Sequence, residues 1–200
     1  PDTTKYSIIH DKAGLPAPKT IYSITSDRQL LKNYVDYLGG FPIIIKATGS
    51  TRGIGTIKIE TWQNLISTVD YLINTGDKFI LRQFIHAKSG CRMMVLGNEV
   101  IEATDFIMNT NDFRNAAILS EVKYCKREYT KTSKVIAVKA THLANTEFSG
   151  VDFLEDQNGN YYLLEINFPC GLPNYWQNSK GVNILIEYLI IKSRHKSGKN

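Results

Sequence analysis

The segment from residue 148 to 167 constrains the fold of this chain more than any other, because it has the pattern of two strands joined by a tight turn. Apolar residues dominate Phe148–Leu154 and Tyr161–Asn167, and Asn158-Gly159 stands between them. Asn-Gly is the preferred central pair of a two-residue type I′ turn. The sequence therefore predicts an antiparallel hairpin whose register is set by this turn.

The predicted register places two carboxylates opposite each other. Side chains of a strand alternate between the two faces of the sheet, so Asp152 faces Glu165, and Asn167 lies two residues further along the same face. The opposite face carries apolar pairs that belong to the core, Val151 with Ile166 and Phe153 with Leu164.

Two acids and an amide on one face predict a metal site. Like charges directly opposite one another destabilise a sheet, and a cation bound among Asp152, Glu165 and Asn167 removes that cost. All three side chains offer oxygen atoms, which select a hard ion, Mg²⁺ or Mn²⁺ in its place. Mg²⁺ takes few protein oxygens and completes its shell with phosphate and water, as in a nucleotide site. The alternative is a solvent-exposed face on which the repulsion is screened.

A glycine-rich loop follows a buried strand in the first half of the chain. The strand ends at Lys46, and the loop is Gly49-Ser50-Thr51-Arg52-Gly53-Ile54-Gly55. Glycines leave backbone N–H groups free to approach phosphate oxygens, and Lys46 and Arg52 supply positive charge. Gly-Lys-Ser/Thr, GxGxxG, His-Arg-Asp and Asp-Phe-Gly are missing, which argues against a Walker A loop, a dinucleotide fold and a protein kinase. The alternative is a flexible hairpin turn with Lys46 at a strand end.

Composition excludes several classes of protein. The 200 residues are 42% hydrophobic and 22% charged, which is ordinary for a globular chain and not for a disordered or fibrous one. Three separated cysteines favour reduced thiols over a zinc site or a disulfide framework. The net charge of +5 comes mostly from the end of the chain, so we expect no nucleic-acid face. No apolar run is long enough to span a bilayer, and no signal peptide is evident, so we expect a cytoplasmic protein without membrane contact. The chain begins at Pro1 and not at Met, which leaves open what precedes it.

The order and spacing of five motifs resemble the nucleotide-binding part of an ATP-grasp ligase of the RimK-like group. The resemblance implies an α+β fold with the nucleotide between two lobes, and without the N-terminal domain that precedes this region in such ligases. It divides the chain into a lid unit with a leading helix (1–78), a unit with the metal site (79–191) and a basic tail (192–200). The motifs are Phe41–Lys46, Gly49–Gly55, Ile80–Ile85, Gly150–Asp152 and Leu164–Asn167.

The resemblance also implies roles for individual residues. Lys46 contacts the α and β phosphates of ATP, and the loop of Gly49, Ser50, Thr51, Arg52, Gly53 and Gly55 closes as a lid over the β and γ phosphates. The strand end at Gln83, Phe84 and Ile85 reads the adenine edge through its backbone. Arg92 and Arg114 face the phosphates as catalytic residues. Asp152, Glu165 and Asn167 match the Mg²⁺ ligands.

Members of the family phosphorylate a carboxylate with ATP, and an amine then attacks the acylphosphate to give an amide, ADP and phosphate. The substrates implied are the carboxylate and the amine of an amino acid, peptide or protein, and a homo-oligomer is left open. The chain departs from the family pattern in four places: Gly90 replaces an acid, Ala116 replaces an asparagine, Leu119-Ser120-Glu121 replaces glycines, and Asp2-Thr3 replaces Asp-Lys, with Lys5 as a stand-in. These departures keep a second hypothesis open, a non-catalytic or degenerate nucleotide-binding module. A purely structural domain is a third.

Overall fold

The computed structural model describes residues 3–49, 53–107, 113–114, 124–125, 129–172 and 179–197. The strands within these residues form two antiparallel sheets and not one continuous parallel sheet, which confirms the predicted α+β class. The elements in chain order are α1 Thr3–Lys12, β1 Thr20–Ile21, α2 Arg28–Leu38, β2 Ile43–Ala47, β3 Thr56–Ile59, α3 Trp62–Thr75, β4 Phe79–Gln83, β5 Ala87–Leu96, β6 Glu99–Ile107, β7 Tyr124–Cys125, α4 Lys131–Leu143, β8 Phe148–Asp156, β9 Tyr161–Asn167 and α5 Lys180–Ser197.

The first sheet has the strand order β1-β4-β2-β3, and α2 and α3 pack on it. Both helices bury one apolar stripe, as the helical spacing of their leucines and valines predicts. The predicted cap of α3 is confirmed, since the Thr61 hydroxyl accepts the N–H of Asn64. The shared core includes Leu31, Leu38, Ile43, Ile45, Leu65, Val69 and Leu81.

The start of α2 differs from its prediction by one residue. A capping box opening at Ser26 was expected, but Asp27 is the N-cap, and its carboxylate accepts the N–H of Leu30 at 2.8 Å. A carboxylate at this position satisfies a free backbone donor and lies at the positive end of the helix. The preceding strand, predicted over 21–24, is only Thr20–Ile21, because it pairs with β4 solely through Arg82 and Leu81.

The second sheet has the order β7-β6-β5-β8-β9, and α4 and α1 pack against it. The central hairpin, predicted over 92–96 and 99–103, extends from Ala87 to Ile107. Helix α1 is held to α4 by the buried His10, whose Nε2 lies 3.3 Å from the carbonyl oxygen of Ala140. This sheet positions the polar residues described below.

The pairing of β8 with β9 confirms the predicted opposition of Asp152 and Glu165, as well as that of Val151 and Ile166. The predicted pair of Phe153 with Leu164 is wrong, because Phe153 faces Leu163. A β-bulge between Asp152 and Phe153 shifts the register by one residue.

The turn of this hairpin explains the shift. The N–H of Gly159 donates to the carbonyl of Asp156 at 3.1 Å, and the N–H of Asp156 donates to Asn160 at 3.0 Å, so the loop has three residues instead of two. Gly159 has φ 82°, the left-handed conformation that closes a three-residue hairpin loop. The extra loop residue and the bulge compensate each other, which is why the register at Asp152 is as predicted.

The end of the chain is more helical than predicted. Helix α5 continues to Ser197, so residues 192–197 are helical where a basic tail was expected, and residues 191–194 are exposed. No glycine or proline interrupts the segment before residue 198, and Lys192 Nζ lies 3.1 Å from Oε1 of Glu147. The predicted unit boundary at residue 78 stays a prediction; β4 pairs within the first sheet, and α1 packs on the second.

Among the helices of the described ranges, none combines the length and apolar character needed to cross a membrane. Cys91 and Cys170 are buried and form no disulfide within the described residues.

Candidate functional site

Strand pairing brings an arginine and two acids into one row across the second sheet. Arg92 on β5 pairs with Asp152 on β8, and Asp152 pairs with Glu165 on β9. The guanidinium of Arg92 donates from Nε to Oδ1 and from Nη2 to Oδ2 of Asp152, each at 2.6 Å. This two-point pairing fixes both side chains in orientation as well as in distance.

The first sheet contributes a lysine to the same row. Lys46 Nζ lies 3.2 Å from Oε2 of Glu165, and the two side chains are only 18% and 31% exposed. Asn167 Nδ2 donates to Oδ2 of Asp152 at 2.9 Å and to Oε1 of Glu165 at 3.4 Å. The structure thus brings together Lys46, Arg92, Asp152, Glu165 and Asn167, five residues that the sequence predicted for one site.

The two carboxylates differ in their protonation behaviour. Burial raises the pKa of Asp152, and the Arg92 guanidinium opposes that rise. Burial alone would also raise the pKa of Glu165, but Lys46, together with Asn167 and Arg92, outweighs it and holds that pKa below its ordinary value. The raised pKa of Asp152 comes mainly from burial, and the facing Glu165 adds to it.

The reason given for a cation at this position needs correction. A metal was inferred because Asp152 and Glu165 would otherwise repel each other without compensation, yet Arg92 and Lys46 already supply the opposite charges. Facing acids are therefore stable here with protein cations alone. The case for a metal depends instead on the donor set.

That donor set fits a hard divalent ion. Two carboxylates and one amide converge at this point, and oxygen ligands of this kind suit Mg²⁺. In the described ranges no group of three His, Cys, Asp or Glu side chains is placed to hold a metal, so Asn167 would have to complete the set. It now presents its nitrogen to both acids, and a half-turn of the amide would present Oδ1 instead. The metal role of these three residues stays a prediction.

The glycine loop connects β2 to β3, directly after Lys46. Gly49, Gly53 and Gly55 have φ of 80°, 74° and 74°, a region that side chains disfavour, so the loop path requires glycine there. The N–H of Ala47 donates to the carbonyl of Gly55 at 2.9 Å, which closes the base of the loop. Ser50, Thr51 and Arg52 lie outside the described residues.

The predicted adenine-reading segment follows β4. The N–H of Gln83 is already used, since it donates to the carbonyl of Lys19 at 2.8 Å, and the Ile85 carbonyl accepts from Ala87 at 2.8 Å. No backbone hydrogen bond outside helices and strands involves Phe84 or the N–H of Ile85, so far as the described part of the chain extends. Contact with a base therefore suits Phe84 and Ile85 better than Gln83.

Arg114 is half-buried, and its role as a catalytic residue stays a prediction. The neighbouring Phe113 packs edge-on against Phe84, with ring centroids 6.3 Å apart, and Lys58 Nζ lies 5.0 Å from the Phe84 ring. Ala116 lies outside the described residues.

Sequence reasoning missed one charged residue close to this site. Arg82 lies within the apolar strand β4 and is only 7% exposed. The sequence contained a signal, because arginine is rarely buried and this one lies alone in a run of apolar residues.

This combination of two antiparallel sheets, a glycine loop between β2 and β3, and a charged row reached by Lys46 defines the ATP-grasp fold. The structure of the ATP-grasp ligase PsnB complexed with precursor peptide PsnA2 and AMPPNP matches with a TM-score of 0.71, at 20% identity, over 96% of this chain and 59% of that one. D-alanyl-alanine synthetase A from Vibrio cholerae matches with a TM-score of 0.64, at 16% identity, over 83% of this chain and 54% of that one.

The family follows from the sequence match. The model of the RimK-like ATP-grasp domain matches residues 3–192, so the chain belongs to this family. Ribosomal protein bS6–L-glutamate ligase of Escherichia coli is 28% identical over 186 residues, which are 92% of this chain and 60% of that protein. The chain thus spans about 60% of the length of the curated relatives it matches.

Proposed function

We propose that this chain binds Mg·ATP and forms the nucleotide site of a carboxylate–amine ligase that releases ADP. The observation that carries the proposal is the row of paired charges from Lys46 through Glu165 and Asp152 to Arg92, beside the glycine loop. Two cations and two acids held together in this way offer phosphate-binding and metal-binding groups at a single place. Family membership supports the same conclusion.

The protein groups act mainly by position and charge. Lys46 exchanges Glu165 for a phosphate oxygen, and Arg92 orients Asp152 while adding positive charge. Asp152, Glu165 and Asn167 would hold Mg²⁺, which neutralises phosphate charge when bound. The γ phosphoryl group passes to a substrate carboxylate, the amine then attacks the acylphosphate carbon, and phosphate leaves as the amide forms. Phosphoryl transfer needs little covalent chemistry from the protein, so such a site suffices.

The substrate class follows the relatives. One relative is named for joining L-glutamate to ribosomal protein bS6, and a structural neighbour is described with a precursor peptide. We therefore infer that the carboxylate and the amine belong to amino acids, peptides or a protein chain. A cytoplasmic site of action and the lack of a nucleic-acid partner belong to the same proposal.

A second candidate is nucleotide binding without turnover. Gly90 lies two residues before Arg92 on β5 and is buried, so it offers no side chain where relatives carry an acid. Loss of that contact weakens ribose binding and leaves Asp152 and Glu165 in place.

The two candidates separate in one set of experiments. ATP is titrated into the parent chain and Glu165→Gln by calorimetry, with Mg²⁺ and with a chelator. Both candidates, the ligase and the binding module, predict that Mg²⁺ strengthens the binding of ATP to the parent. Both predict a smaller effect of Mg²⁺ in Glu165→Gln. ADP release with ATP, Mg²⁺ and a panel of amino acids then distinguishes a ligase from a module. Equal Mg²⁺ dependence in both proteins would place the metal elsewhere.

A further inference from the structure

In the part of the chain that the structure describes, the hydrogen bonds of the buried arginine of β4 go to neutral groups. The Arg82 guanidinium donates from Nε to the hydroxyl of Thr20 and from Nη2 to that of Ser7, both at 3.2 Å. Within the described part of the chain, no carboxylate forms an ion pair with it. An arginine keeps its charge at any physiological pH, so a buried one with only neutral partners is expensive for the fold.

Arg82 also faces a cavity that contains a second cation. This cavity lies between α1 and the first sheet, and its polar lining comes from Thr4, Ser7, Lys46, Thr48 and Arg82. Its free space is about the size of one water molecule. That is room for one oxygen of a larger ligand and not for a whole phosphate group. Hydroxyl donors and two cations around such a space select an anionic oxygen.

The position of Arg82 along β4 indicates which phosphate of the nucleotide supplies this oxygen. Lys46 pairs with Ile80 and Ile44 pairs with Arg82, so Lys46 and Arg82 share one face of the sheet. Arg82 lies two residues from Ile80 in one direction and two from Phe84 in the other, roughly 7 Å each way. It therefore stands midway between the segment that suits the base and Lys46, whose expected contacts are the α and β phosphates.

We propose that Arg82 binds the α phosphate of the nucleotide, the phosphate nearest the ribose. The proposal rests on the nucleotide site proposed above and adds a residue to it. Lys5, the cation that the sequence offered for the first helix, is exposed and lies 5.8 Å from the centroid of the Tyr6 ring. Arg82 instead reaches α1 from β4, through Ser7.

The test compares ligands that differ by one phosphate. Adenosine, AMP and ADP displace a fluorescent ADP analogue from the parent chain, Arg82→Gln and Lys46→Ala. In the parent, AMP binds more tightly than adenosine, and ADP more tightly than AMP. Arg82→Gln loses the increase in affinity from adenosine to AMP, which is roughly 10- to 150-fold for a charged hydrogen bond. It retains the increase in affinity from AMP to ADP. Lys46→Ala shows smaller gains in affinity at both steps, because Lys46 is expected to contact the α and β phosphates.

Controls separate binding from folding. Arg28→Gln removes an exposed arginine of the same unit, one paired with Asp70, and leaves all three affinities unchanged. Arg82→Gln without ligand melts no lower than the parent, because it removes an unpaired buried charge and keeps an amide donor for Thr20 or Ser7. Equal losses for adenosine, AMP and ADP, or a lower melting temperature without ligand, would make Arg82 structural and overturn the proposal. A parent chain that binds no ADP would overturn the proposed function itself.

Discussion

Replacing Glu165 by glutamine tests the electrostatics of the site in the free protein. The change removes one negative charge and almost no volume. Two effects oppose each other: the repulsion between Glu165 and Asp152 disappears, and so does the ion pair of Glu165 with Lys46. The lowered pKa of Glu165 shows which effect is larger, because Lys46, Asn167 and Arg92 together outweigh burial. Glu165→Gln should therefore destabilise the metal-free protein.

The magnitude follows from the geometry of the pair. Exposed ion pairs contribute up to about 1 kcal/mol, and this pair, 3.2 Å long with side chains 18% and 31% exposed, lies at the upper end. A loss of about 1 kcal/mol lowers the melting temperature by roughly 2–4 °C for a domain of this size. Glu60→Gln is the matched control, because Glu60 pairs with Lys58 at 2.7 Å but is 64% exposed. We expect no measurable shift for the control.

The pH dependence of stability tests independently whether Glu165 stabilises or destabilises the free protein. A carboxylate whose pKa is lower in the folded protein stabilises it above the unfolded value and loses that contribution as the pH falls through the folded value. The difference between the parent and Glu165→Gln should be full at pH 7 and should shrink below about pH 4.5, the ordinary value for glutamate. Thermal melts across this range measure it. A variant that melts above the parent at pH 7 would refute the reasoning. It would mean that the repulsion between Asp152 and Glu165 is larger than the attraction between Glu165 and Lys46.

Three further predictions concern other single substitutions. Lys46→Ala should weaken ATP binding by about 1.5–3 kcal/mol, the range for hydrogen bonds to charged groups, whereas the exposed Lys134→Ala should not change it in the same calorimetric titration. Asp156→Ala should lower the melting temperature at pH 7, since its carboxylate accepts from the side-chain amide of Asn160 and from the N–H groups of Asn158 and Asn160. The deficit should vanish in acid, because those contacts lower the pKa of Asp156. Gly150→Ala should destabilise the chain, because the new Cβ would lie 2.6 Å from Cys170 Sγ, and in a Cys170→Ala background its effect on the melting temperature should be smaller.

Local patterns predicted what depends on local geometry. The Thr61 cap, the strand Thr56–Ile59 and the opposition of Asp152 to Glu165 all depend on residues close in sequence. The hairpin also shows how a correct register can come from an incomplete reason. The loop closes with three residues, and a bulge at Asp152 restores the pairing that a two-residue turn would give.

The partners of the two acids could not be predicted in this way. Arg92 meets Asp152 only because β5 pairs with β8, strands separated by β6, β7 and α4. Lys46 meets Glu165 only because the two sheets face each other at this point. No periodicity or turn signal encodes either contact, so the acids were read as unpaired and a metal was inferred to balance them. Conversely, α5 extends beyond its prediction because charge at the chain end was taken as a sign of disorder.

The pairing of these charges has a consequence for how the proposed ligands would bind. A site with bare cations and bare acids would lose stability in the free protein, and here each group already has a partner. A nucleotide that draws Lys46 away would leave the partly buried Glu165 without its cation, which is costly unless a divalent cation arrives with it. Under the proposed function, the binding of phosphate and metal would therefore be coupled through the Lys46–Glu165 pair, and each ligand would raise the affinity for the other by the same factor. Glu165→Gln would abolish this coupling, since a neutral amide needs no new partner when Lys46 moves.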